Sequence, residues 1–165
     1  MIGGCIMNEK TAYELLDKYN ISYVRFDHEP IETLIGNLNL VEGQQVKNLV
    51  LKNKKAKNIY FIIIEESKEL NISELGEKIG EKRLSFASLE NLDEYLKCKV
   101  SAVTPLGLFY DENKKVKVLI DDSLDINTTL GIHPFINTTT LNIEFKDLLR
   151  FFDELEVEYE FINMD

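Results

Sequence analysis

Apolar and polar positions divide the chain into short elements. Asn48–Leu51 and Ile59–Ile64 are apolar runs joined by a lysine-rich turn, and they read as the strands of a hairpin entered through Lys47. Upstream, Ala12, Leu15, Leu16 and Tyr19 fall at i, i+3, i+4, i+7, which predicts a helix capped by Asn8 or Thr11 and closed at Asn20. Ile21–Phe26 alternates as a strand. Pro30 biases Glu29 away from helix, and a further helix is expected over residues 31–40 although Gly36 interrupts it. After the hairpin, Asn71-Ile-Ser-Glu74 resembles a capping box, Ile72, Leu75 and Ile79 form the buried stripe, and Gly80 ends the helix. Leu84–Phe86 is a short strand, and Ser88 caps a helix expected to turn Leu89, Leu92 and Leu96 inward.

The texture then changes. Val100–Leu108 has small residues, a proline and a glycine without helical period, so it reads as a loop whose backbone can approach a ligand. Val116–Ile120 is a strand, Gly131–Pro134 another loop, and Thr138–Ile143 is β-rich. Phe145, Leu148, Leu149, Phe152 and Leu155 mark a last amphipathic helix, and the alternating Val157, Tyr159 and Phe161 suit an edge strand or a partner contact. No regular βαβ order emerges. The expected class is α+β (irregular α/β), a mixed β-sheet with surrounding helices. A single domain is expected over residues 1–165, with its core over about 8–155 and an acidic C-terminal stretch, 153–165.

Composition restricts the partners. The 29 acidic against 19 basic residues give a formal charge of −10, a field that opposes loose binding to polyanions such as DNA. The excess is uneven: Asp153, Glu154, Glu156, Glu158, Glu160 and Asp165 follow Arg150 with no base among them, which leaves a homodimer through this stretch open. Between Glu42 and Glu65 there is no acid at all, so a local nucleic-acid contact near Lys47–Lys57 is compatible with the charge. Cys5, Cys98, His28 and His133 are poorly spaced for zinc, and no metal or cofactor is expected; two reduced thiols fit a cytoplasmic protein. The start has no basic n-region, and no run approaches the ~20 apolar residues of a membrane span.

Common nucleotide, hydrolase and metal motifs are absent from the sequence. What remains is a set of polar residues at the ends of apolar runs: Lys47 and Asn48, the Thr104-Pro105-Leu106-Gly107 turn, His133-Pro134, and Asn137-Thr138. Each also has a plain structural reading, as a solvated strand end, a turn or a cap. The residue pattern leaves both open.

Together these residues carry a resemblance. Lys47-Asn48-Leu-Val-Leu51, Lys82-Arg83-Leu-Ser-Phe-Ala-Ser88, Val103-Thr-Pro-Leu-Gly-Leu108, His133-Pro134 with Asn137-Thr138, and Asp147-Leu-Leu-Arg-Phe151 occur in an order that resembles the YbaK/ProX superfamily of aminoacyl-tRNA deacylases. These are free-standing relatives of the prolyl-tRNA synthetase editing domain. The resemblance implies hydrolysis of the ester between a wrong amino acid and its tRNA, with alanine on proline tRNA as the ProX-type substrate. It implies catalytic roles for Lys47 and His133, and substrate contacts from Asn48, Ser101, Thr104, Pro105, Gly107, Asn137 and Thr138. The family's Gly-x-x-x-Pro loop maps to Ser101–Pro105, with Ser101 in the place of the glycine, a departure that bears on pocket size and on activity. The alternative implied by that departure and by the acidic charge is a non-catalytic module of the same fold that senses an amino acid or the aminoacyl-tRNA end.

Overall fold

A strand buried on both faces has to be apolar throughout, and every residue from Ile59 to Ile64 is buried. In the computed structural model, which describes residues 8–29 and 43–165, this strand lies at the centre of the larger of two sheets. Cys5, the turn at Pro30 and the helix expected over 31–40 lie outside the described residues.

The elements run α1 (Glu9–Lys18), β1 (Tyr23–Asp27), β2 (Val46–Lys52), β3 (Ile59–Glu65), α2 (Ile72–Ile79), β4 (Ser85–Phe86), α3 (Leu89–Leu96), β5 (Val116–Asp121), β6 (Thr129–Ile132), β7 (Thr139–Glu144), α4 (Phe145–Leu155) and β8 (Tyr159–Ile162). The larger sheet has the order β4-β2-β3-β5-β8 and is mixed: β3 is antiparallel to β2 and parallel to β5. The second is a three-stranded antiparallel sheet, β1-β7-β6. Phe61, Ile63, Val118 and Ile120 face a large core shared with α1, α3, α4 and the small sheet. Ile62, Ile64 and Leu119 face a smaller core closed by Leu75 of α2 and by Met164.

The helix starts follow their capping residues. The Asn8 carboxamide accepts from Thr11 N–H, Asn71 accepts from Glu74 N–H, and Ser88 and Asn91 form a reciprocal box. Gly80 ends α2 in the left-handed conformation, at φ 77°.

Two expectations change. Leu89 is 67% exposed while Leu92 and Leu96 are buried; at the first helical position its side chain leans back past the edge of the core. Gly131 and Ile132 are not loop but the end of β6, paired with Asn142 and Leu141. Ile132 is needed in the core, and a β-carbon at Gly131 would stand 2.8 Å from Thr140 Cγ2, so the missing side chain allows close strand packing. The acidic C-terminal stretch is likewise built into the sheet. β8 runs parallel to β5, with Lys117 Nζ 3.7 Å from both Glu158 and Glu160.

One buried carboxylate ties the strand ends together. Asp121, fully buried at the end of β5, accepts from Glu65 N–H at 3.1 Å, from Ser123 N–H and Oγ, and from Lys68 Nζ at 3.0 Å. Burial alone would raise its pKa, but these donors outweigh burial and hold it below the usual carboxylate range. The last residue of β3 is thereby fixed from the neighbouring strand.

The segment Pro105–Tyr110 is a buried 3-10 helix capped by Thr104, whose Oγ1 accepts from Leu106 N–H. Gly107 packs so tightly on the end of α3 that a β-carbon there would lie 2.4 Å from the Leu96 carbonyl and 2.9 Å from Cys98 Sγ. Because the first obstacle is backbone, it cannot rotate away. Gly107→Ala is therefore expected to destabilise the protein by about 1–3 kcal/mol, read as a lowered urea midpoint with an unchanged slope.

Candidate active site

The cleft forms beside the stretch of β2 that β4 does not pair with. β4 pairs with β2 only at Leu51 and Lys52, and Ala87 N–H reaches the Val50 carbonyl. Upstream of that point no strand among the described residues pairs with this edge of β2. Successive side chains alternate between faces: Val46 and Val50 pack on the large core and Leu49 and Leu51 on the small one, which puts Asn48 and Lys47 on opposite faces. Both nonetheless line the same space. Gln45, Lys47, Asn48, Glu66, Val100, Ser101, Val103, Ile132, His133 and Thr140 are among the residues lining a cleft of about 330 Å³.

Of the residues expected at a site, Lys47, Asn48, Ser101 and His133 come together here. Thr104, Pro105 and Gly107 are buried behind the wall rather than in it. They form the tight turn that carries Val103 and Ser101 to the cleft. Asn137 and Thr138 also stand back from the lining. Thr138 is exposed, and its carbonyl accepts from His28 N–H at 2.9 Å. Thr140, two residues on, takes the lining position instead. The lysines of the hairpin turn are at the far end of the ladder: Lys52 pairs with Ile59, whereas Lys47 pairs with Ile64. That separation is about 17 Å along the strand, so the turn is no part of the cleft.

The polar groups of the cleft are unevenly satisfied. Asn48 Nδ2 is buried with no hydrogen-bond partner among the described residues. An unpaired buried donor costs about 1–3 kcal/mol, a cost that an acceptor on a ligand would remove. His133 Nδ1 lies 3.1 Å from the Thr139 carbonyl. A carbonyl only accepts, so the ring proton sits on Nδ1 and leaves Nε2 a free lone pair. Burial pushes the His133 pKa below its usual value, the Thr139 contact opposes this, and the nearby His28 adds to the lowering. The two rings are 6.4 Å apart, and His28 Nε2 is bonded to Thr140 Oγ1 at 2.7 Å. His133 is therefore neutral near pH 7.

Glu66 was not singled out by the sequence. Its N–H donates to the Gln45 carbonyl at 3.1 Å, prolonging the β2–β3 ladder by one pair. Burial raises its pKa, against the pull of the Lys47 ammonium. Cys98 is a packing group: its thiol donates to the Leu96 and Thr104 carbonyls, and burial pushes its pKa up to about 12. Among the described residues no group of three or more His, Cys, Asp or Glu could hold a metal ion, and no helix is long and apolar enough to cross a membrane.

The arrangement can bind, orient and deprotonate. Among the described residues it offers one cation, one anion, one buried amide donor and one neutral imidazole, against an apolar wall of Val100, Val103 and Ile132.

Residues 28–151 match the family model described as an aminoacyl-tRNA editing domain. The chain is 32% identical over 140 residues to the prolyl-tRNA editing protein ProX of Acetoanaerobium sticklandii, covering 81% of this chain and 83% of that one. It is 30% identical over 152 residues to prolyl-tRNA synthetase associated domain-containing protein 1 of Danio rerio, covering 89% and 82%. A solved structure titled as a candidate trans-editing enzyme for prolyl tRNA synthetase shares the fold, with a TM-score of 0.66 at 16% identity over 95% of this chain and 97% of that one. With its Lys47-Asn48 strand end and His133 set around one cleft, the chain belongs to the aminoacyl-tRNA editing family, in its YbaK/ProX branch.

Proposed function

We propose that this deacylase acts in trans on alanine mischarged onto proline tRNA, with the cleft beside Lys47 and Asn48 of β2 as its active site. The observation that carries the reading is the convergence of Lys47, Asn48 and His133, from separate elements, on one small cleft. Its volume of about 330 Å³ is at the low end of the range for ligand pockets. That suits a small aminoacyl ester with part of its adenosine, and the Val100, Val103 and Ile132 wall suits a methyl side chain. A synthetase site built for proline excludes a smaller residue weakly, since a methylene is worth only about 1–3 kcal/mol. A second, smaller site is the physical remedy.

The ester is already activated, so placement and a base suffice. In the proposed reaction Lys47 holds the phosphate or ribose of the terminal adenosine. His133 Nε2 accepts a proton from water as the water oxygen attacks the ester carbonyl carbon. The buried Asn48 Nδ2 donates to the oxygen that becomes negative, which satisfies its missing partner. Collapse of the tetrahedral species breaks the bond to the ribose oxygen, and that oxygen takes the proton back from His133. Charged tRNA is the partner, and the cytoplasm is the compartment that this reading requires.

Two outcomes check it. Lys47→Ala is expected to lower kcat/KM on Ala-tRNA(Pro) by about 10- to 100-fold, the equivalent of one charge-assisted hydrogen bond. Failure of the wild type to hydrolyse any mischarged tRNA in a panel would sink the reading. For His133, the base must be unprotonated, so activity falls as pH drops through its pKa. Burial lowers that pKa, so the acid limb is expected to lie below the usual value of about 6.5, with full activity at pH 7. His133→Ala should abolish the limb along with most of the rate; a limb that persists unshifted in the variant assigns the base elsewhere.

A further inference from the structure

We propose that Glu66 is a specificity-determining residue that binds the α-ammonium of the aminoacyl group, so that the site selects esters of free amino acids over N-blocked ones. This rests on the reading of the cleft as an aminoacyl-ester site. Glu66 is the acidic residue among the described residues that line it.

The geometry favours a ligand role over a structural one. Val46 pairs with Glu65 and Lys47 with Ile64, and the Glu66 N–H bond to Gln45 adds the next pair. Glu66 thus stands diagonally across the ladder from Lys47, on the same face. Diagonal neighbours are about 7–8 Å apart, within reach of long side chains. The two attract each other, yet no closed ion pair or side-chain hydrogen bond engages the Glu66 carboxylate among the described residues. A half-buried carboxylate without a donor is costly unless a partner arrives.

An aminoacyl-adenosine has such a partner. Its ester carbonyl is flanked by the α-ammonium on one side and by the ribose and phosphate on the other. Lys47 suits the phosphate side; without Glu66 it would repel the ammonium, because His133 is neutral and the other lining residues among those described carry no charge. Glu66 accepts the ammonium hydrogens and cancels that repulsion. The backbone tether to Gln45 and the Asp121 bond to the preceding Glu65 N–H hold its position.

The test compares alanyl-tRNA(Pro) with its N-acetylated form, which keeps the ester but has no cation. The wild type is expected to prefer the free amine in kcat/KM by about 10- to 100-fold, as for one charge-assisted hydrogen bond. Glu66→Gln should reduce the preference to about threefold or less, chiefly through loss on the free-amine substrate, while Glu66→Asp retains part of it. An unchanged ratio in Glu66→Gln, or an equal fall on both substrates, overturns the assignment, the second outcome marking a role in holding Lys47 or the fold. If the wild type hydrolyses neither substrate, the deacylase reading fails but Glu66 can still be judged. Titration calorimetry with 3′-alanylamino-3′-deoxyadenosine and its N-acetyl form should then show free-amine selectivity that Glu66→Gln loses. Equal affinities in the two proteins, or no binding, would overturn it.

Discussion

The site depends on one constraint: β3 is buried on both faces and can carry no charge between Ile59 and Ile64. A charged residue placed there would lose its hydration without a partner. Every ionised group of this part of the molecule is therefore displaced to the ends of the β2–β3 ladder. At one end are the lysines of the hairpin turn. At the other, Lys47, Glu65 and Glu66 appear as soon as the sheet stops burying what it carries. Asp121 is the exception that is buried, and four donor groups surround it. By holding Glu65 N–H, it makes the end of β3 a fixed point rather than a fraying one.

The second condition is the short β4. Had β4 continued alongside β2, the edge at Val46–Leu49 would be filled, and Lys47 and Asn48 would project into separate compartments. Its two residues leave that edge without a paired strand among the described residues, and the Val100–Val103 segment supplies a wall there. That wall is anchored by the buried turn behind it. Thr104 caps the turn, Gly107 allows backbone contact with α3, and the Cys98 thiol bonds to the Thr104 carbonyl. Residues that the sequence suggested as substrate contacts thus position the ones that line the cleft.

What could be read from the sequence follows from how local each signal is. The caps at Asn8, Asn71 and Ser88, the apolar runs of β2 and β3, and the amphipathic α4 are set by neighbouring residues and were legible. Lys47, Asn48, Ser101 and His133 were singled out through the family resemblance, and all four line one cleft. Glu66 and Thr140 were not found, because what places them is strand register. Glu66 reaches the cleft through its pair with Gln45, and Thr140 by alternation along β7, where Thr139 faces the other way and donates its hydroxyl to Asp27. The same reason hid β6: Gly131-Ile132 has no strand pattern of its own and becomes strand only by pairing with Leu141 and Asn142. A glutamate just after an apolar run is itself a usable signal, since it marks where a buried strand emerges.

The division of charge in the cleft bears on how it can work. Lys47 and Glu66 share one face of the ladder, while Asn48, uncharged, is on the other, and His133 is kept neutral by burial. Charged groups bind strongly but are poor at exchanging protons near neutrality. A neutral imidazole with its proton fixed on Nδ1 is the reverse. Cys98, with its thiol pushed up to about 12, is withdrawn from nucleophilic chemistry. In the proposed reaction the labour divides accordingly. The charged pair grips the two charged flanks of an aminoacyl-adenosine, and the uncharged pair faces the neutral ester between them. A site built this way needs no covalent intermediate, and its selectivity lies in which flanking groups the substrate carries.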